Sequence, residues 1–215
     1  MNDKDTVLGW HWTNGKTLRD GRPLPADGEV LRHDGPVEIR KSGLHFSERC
    51  LDALSFAPGS IVHRVECRNV LESQYDKSVC RERVSLWRID ASDILMAFAR
   101  RCALDALTLF ISPSVLREYL TTANASIRNA AHLAALITVN DANIVARESD
   151  LVTRGFAVRV RRAAFAAVEA TNLYLDCHSA SKAAHYAAWR GDYKDIQSKQ
   201  NDWLEAMILE ARQAQ

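Results

Sequence analysis

Several ordinary features are missing from this sequence. Its 215 residues contain no apolar run long enough to span a membrane, and Met1-Asn2-Asp3-Lys4-Asp5 is too polar to open a signal peptide. A soluble, cytoplasmic protein without membrane partners is therefore expected. Excess charge of one sign is missing too: 28 basic residues against 27 acidic ones leave +1, which excludes a general nucleic-acid coat but not a local basic patch. There is no C-x-x-C pair, and Cys50, Cys67, Cys80, Cys102 and Cys177 are odd in number and scattered, as in a reducing compartment. His45, Cys50, His63 and Cys67 carry ligand atoms suited to zinc, but no close ligand pair. They are read as packed strand residues, and no metal is expected. Turn formers are scarce in the second half, since seven of nine glycines and four of five prolines precede residue 60.

Alanine does the reverse, in runs such as Ala130-Ala131, Ala163-Ala164, Ala166-Ala167, Ala183-Ala184 and Ala187-Ala188. Gly and Pro punctuate turns and Ala is the best helix former, so the fold class expected is α+β. A small, β-rich mixed domain over 1–91 should precede an all-α, Ala-rich domain over 92–215. In the first, Leu8 to Thr13 reads as a strand closed by an Asn14-Gly15 hairpin turn. Short strands are expected at 28–32, 37–41 and 43–47. Ser47 should cap a short helix carrying Leu51, Leu54 and Phe56. Ser60 to Cys67 alternates, with Ile61, His63, Val65 and Cys67 on one face, and Val84 to Asp90 forms a second alternating run.

From Ser92 the period turns helical: Leu95, Phe98, Cys102, Ala106 and Leu109 share one face. Ser112-Pro113 opens the next helix, and others are expected at 124–138, 141–148, 156–170, 179–190 and 195–211. Ile127-Arg128-Asn129-Ala130-Ala131 is echoed 33 residues later by Val160-Arg161-Arg162-Ala163-Ala164. This aliphatic-Arg-x-Ala-Ala pattern resembles the second helix of HEAT-type repeats, and implies either a short solenoid or a helical bundle.

Candidate binding residues in the helical half are Arg147, Arg154, Arg159, Arg161 and Arg162, with Trp189 and Trp203 as candidate anchors. The arginines suit phosphates of a nucleic acid or carboxylates of a protein, and equally a solvated face neutralised by Glu148, Asp150 and Glu169. Cys177-His178 carries the atoms of a nucleophile and base, but helix neighbours point about 100° apart.

Gly9-Trp10-His11-Trp12-Thr13, Gly43-Leu44-His45-Phe46-Ser47 with Leu51-Asp52-Ala53-Leu54, Val62-His63-Arg64-Val65-Glu66 and Leu86-Trp87-Arg88-Ile89-Asp90-Ala91 together resemble a domain family of tailed phages and prophages. The resemblance implies a mobile-element origin and no particular activity. His11, the Gly43-Leu44-His45-Phe46-Ser47 strand, Ala53 and Glu82 also follow the order of motifs in small ADP-ribosyltransferase-like domains. That likeness implies NAD as cofactor and His11, His45 and Glu82 as catalytic residues. Phe46 and Ser47 would touch the cofactor, the carboxylate of Glu82 stabilising oxocarbenium charge. The Glu-x-Glu pair of arginine-directed members is missing.

Two functions follow as expectations. The leading one is a phage-encoded accessory protein that binds a host protein or protein–nucleic-acid complex, such as an anti-CRISPR-like inhibitor of host defence. It would act in the host cytoplasm, without a cofactor, through Arg154, Arg159, Arg161, Arg162 and Trp189. The alternative is the NAD-dependent transferase, and a virion component is a third possibility.

Overall fold

The computed structural model describes residues 6–172, 176–189 and 192–215. The architecture is α+β, an antiparallel sheet region followed by helices. The chain groups into two compact units: residues up to Ser92 together with Leu204–Gln215, and Asp93–Trp203.

In the first unit, β1 (Thr6–Thr13), β2 (Val30–Arg32), β3 (Leu44–Phe46), β4 (Ile61–Ser73) and β5 (Ser78–Asp90) form one sheet, with the short helix α1 (Cys50–Leu54) after β3. The order is β1-β4-β5-β2, and β3 pairs with the same edge of β5 that β2 uses, further toward its start. Ser47 then bridges back to Trp10 of β1, with mutual backbone bonds of 2.7 and 3.1 Å. The sheet thus curls until its first strand meets the end of its third. Leu44, Phe46, Val65, Cys67 and Cys80 fill the inner face.

Close approach is needed where the sheet closes. A Cβ on Gly9 would lie 2.4 Å from Cδ2 of Phe46 and 2.8 Å from the carbonyl oxygen of Ser47. Only glycine lets the Phe46 ring cross β1 there.

Several local expectations need correction. Residues 37–41 form a turn rather than a strand: Glu38 bridges Ser42, and Arg40 has φ of 71°. The cap of α1 is Arg49, without a side-chain bond, while Ser47 Oγ donates 2.7 Å to the carbonyl of Asp76. Glu205 supplies what Arg49 does not, accepting from the Cys50 N–H and from Arg49 Nε, both at 2.9 Å. Asn14-Gly15 closes no hairpin, because β1 pairs with the distant β4; Asn14 Oδ1 instead accepts from the N–H groups of Lys16 and Thr17.

The second unit holds α2 (Ser92–Ala106), α3 (Ser114–Thr122), α4 (Arg128–Glu148), α5 (Leu151–Thr171), α6 (Cys177–Ala188) and the first half of α7 (Tyr193–Gln213). From α3 to α6 each helix packs on the next, α4, α5 and α6 through buried alanines, among them Ala131, Ala135, Ala163, Ala167, Ala180 and Ala184. Residues 124–148 make a short 3₁₀ turn and then one long helix instead of two helices. Ile127-Arg128 stands at the start of α4 and Val160-Arg161 in the middle of α5, so the echoed segments are not equivalent turns of a repeat. Residue 190, the expected end of α6, lies outside the described residues. No helix among the described residues is long and apolar enough to cross a membrane.

Candidate functional site

A cleft of about 710 Å³ opens in the sheet unit, a volume in the range that takes a ligand of nucleotide size. Its walls come from β1, the 17–22 loop, the 40–43 turn, β3, Ala53 of α1 and Arg83 of β5. His11, His45, Phe46, Ser47 and Ala53, five of the residues singled out by the transferase resemblance, all line it. Glu82 does not. Side chains alternate along a strand, so Glu82 and Arg83 face opposite sides of β5. Glu82 pairs with Arg32 across the ladder, Oε1 to Nε 3.4 Å, and Arg83 lines the cleft.

Charge is concentrated at this site. Arg19, Arg22, Arg40, Lys41, Lys77 and Arg83 line it; the acidic side chain among its lining residues, Asp20, is bonded to Arg22 at 2.7 Å. Arg83 is 7% exposed, and its guanidinium donates 2.5 Å to the carbonyl of His45. No carboxylate among the described residues forms an ion pair with it. Burial lowers its pKa, with the neighbouring thiols of Cys67 and Cys80 opposing. A guanidinium taken out of water without a counter-ion costs several kcal/mol, and a bound anion offsets that cost.

Three histidines surround this cation in different ways. His45 accepts from the Arg40 N–H at 2.9 Å through Nε2 and bonds the Gly43 backbone, so it holds the 40–43 turn and its ring is committed to structure. His63 is bonded on both nitrogens, to Thr13 Oγ1 at 2.9 Å and Ser85 Oγ at 3.0 Å. The His11 ring lies 6.1 Å from that of His63 and has no hydrogen-bond partner among the described residues, leaving its nitrogens available to a ligand. Burial, then repulsion from Arg83, holds His11 well below the usual histidine range, so it is neutral at pH 7. Apolar surface comes from Phe46 at the floor, 3% exposed, and Phe56 at the rim, 41% exposed, with Lys77 Nζ 4.0 Å from the ring centre of Phe56.

Thr13 and Arg83 were not singled out as binding residues by sequence, and His63 was weighed there only as a zinc ligand. Thr13 follows His11 by two and so shares its face, which is a readable signal. Arg83 was hidden in the run Arg81-Glu82-Arg83, where only the register decides which charge turns inward.

The other candidates are dispersed. Arg147, Arg154 and Arg159 are exposed, whereas Arg161 bonds Asn143 at 3.0 Å and Arg162 donates 2.8 Å to the carbonyl of Trp189 and lies over its ring. They form no uniform cationic row. The Trp203 ring carries two cations, Arg101 at 4.1 Å and Lys199 at 4.6 Å from its centre. Burial, then Asp176, raises the pKa of Cys177, opposite to what a nucleophilic thiol needs. Cys50 and Cys67 are fully buried, and no group of three metal-ligating side chains occurs among the described residues.

The chain matches no known protein family, no curated protein and no solved structure.

Proposed function

We propose that the sheet unit binds an anionic, ring-bearing small molecule of the nucleotide class in this cleft. Arg83 carries the proposal, as a buried guanidinium that lines a cleft of ligand size and pairs with no carboxylate among the described residues. An adenine nucleotide complements the cleft in three ways. Its phosphates meet Arg83 and the cationic rim, its base meets Phe46 and Phe56, and its polar edges meet His11 and Thr13. NAD, the cofactor of the transferase reading, belongs to this class. Transfer of ADP-ribose through Glu82 is not part of the proposal, because that carboxylate turns to the other face of β5.

Calorimetric titration of the chain with ADP and with NAD tests the reading. Saturable binding is expected, weakened by salt and weakened at least about tenfold in Arg83→Met. Absence of binding at millimolar nucleotide, or equal binding by Arg83→Met, would refute it.

A second reading, for the helical unit, is an accessory role in which a phage-encoded chain binds a host macromolecule in the host cytoplasm. Its support is the exposed apolar surface of Leu133, Ile137, Ile144, Leu151, Val152 and Phe156 on α4 and α5. Recovery of a stoichiometric partner on the tagged chain from infected cells, lost on Leu151→Asp with Val152→Asp, is the expected result.

A further inference from the structure

Beneath the cleft runs a chain of hydrogen bonds whose direction is fixed from one end. Arg88 Nε donates 2.8 Å to Asp27 Oδ1, and Ser85 Oγ donates 2.7 Å to the same oxygen. Burial works against ionisation of Asp27, but the bonds from Arg88 and Ser85 outweigh it and hold the carboxyl below its usual range. A carboxylate only accepts, so the one hydroxyl proton of Ser85 is spent on it. Ser85 must then accept from His63 Nδ1–H, at 3.0 Å. A neutral imidazole protonated on Nδ1 has a bare Nε2. The Thr13 hydroxyl therefore donates to it, across 2.9 Å. One lone pair of Thr13 Oγ1 takes the N–H of Gly15 at 3.2 Å. The other lone pair is left, on a residue that lines the cleft.

We infer that Thr13 is the specificity-determining residue of the cleft, a hydroxyl locked as acceptor that selects nucleotides presenting a hydrogen-bond donor to it. Asp27, Ser85 and His63 are positioning residues that hold it in that state. A free threonine hydroxyl rotates and serves donors and acceptors alike. This one cannot offer its proton without breaking the bond to His63. A ligand acceptor placed against it leaves two buried acceptors facing each other, a costly arrangement, whereas a ligand hydroxyl or amino hydrogen completes its shell. His11 and Arg83 face His63 as well, but neither bonds its ring nitrogens, so the direction of the chain depends on Asp27 and Ser85.

The inference rests on nucleotide binding in the cleft, and the test separates the two. Affinities are measured by calorimetry for ADP, its 2′-deoxy and 3′-deoxy forms, and the diphosphate of purine riboside, which lacks the amino group. The native chain is expected to prefer ADP over one of these by roughly tenfold or more, and the analogue that loses affinity identifies the donor as ribose hydroxyl or base amine. Thr13→Val should bind ADP and that analogue alike. Thr13→Ser should restore the preference. Ser85→Ala, which frees the tautomer of His63, should shrink the preference while ADP still binds through Arg83. A loss confined to structure would weaken all four ligands equally and overturn the inference. So would a native chain that binds ADP without discriminating among the analogues, or a preference that persists in Thr13→Val. Failure of every nucleotide to bind would overturn the reading of the cleft itself and the inference with it.

Discussion

His63 is 4% exposed, and its burial predicts a specific acid sensitivity of the sheet unit. Burial foremost, then repulsion from Arg88 and Arg83, with Asp27 opposing, lowers its pKa from 6.5 to about 4. The unfolded chain therefore binds a proton near pH 6.5 that the folded chain refuses until about pH 4. Between those values the unfolded state holds more protons, so stability falls as pH falls. The whole difference is worth about 3 kcal/mol, of which about 2.5 kcal/mol is already lost at pH 4.5. Replacing His63 by Gln removes this titration. The variant loses bonds to Thr13 or Ser85 at every pH, a constant offset, so the informative quantity is the difference between native and variant as pH changes. Urea unfolding at pH 7.5 and pH 4.5, followed by the fluorescence of Trp10, Trp12 and Trp87 in variants with Trp189 and Trp203 replaced by Phe, gives it. The native chain should lose about 2.5 kcal/mol more than His63→Gln over that interval. Parallel pH profiles would refute a buried, neutral His63, and with it the direction of the hydrogen-bond chain.

Other consequences follow from single contacts. Gly9→Ala forces a Cβ into the Phe46 ring and the Ser47 carbonyl, and should destabilise the sheet unit by about 1–3 kcal/mol in the same urea assay. Glu205→Ala removes the carboxylate that accepts from the Cys50 N–H and from Arg49 Nε, and should cost about 1 kcal/mol and speed amide exchange in α1. A phosphate beside Arg83 offsets the repulsion that, after burial, lowers His11, so the pKa of His11 should rise on binding, read by NMR from its ring carbon shifts as the pH is lowered with and without ADP. An unchanged or lower pKa in the presence of ADP would contradict it.

The β-rich beginning and helical end were legible because glycine, proline and alanine segregate along the chain. Strand lengths were less so. The alternating run through Cys67 continues to Ser73, but Asn69 has φ of 53° and the pairing shifts register between Val70 and Glu72, which breaks the period that sequence reading follows. Cys80 to Arg83 precedes the alternating run that begins at Val84 and yet belongs to the same strand, because β4 pairs it on one side and β2 and β3 on the other. The expected helix break at 139–140 is absent, because Val139 and Ala142 are buried on either side of Asn140 and the helix continues. At the cleft, His11, His45, Phe46 and Ser47 were readable as one group. The inward charge was misassigned by one residue, from Arg83 to Glu82, and a one-residue change in register reverses every side chain of a strand.

The most direct test of the account is a crystal structure of the full chain grown with millimolar ADP. The account predicts a phosphate oxygen within hydrogen-bond distance of the Arg83 guanidinium, the adenosine against Phe46 and Phe56, and a ligand hydroxyl or amino group facing Thr13 Oγ1. ADP seated elsewhere, or a cleft without it, would contradict the account.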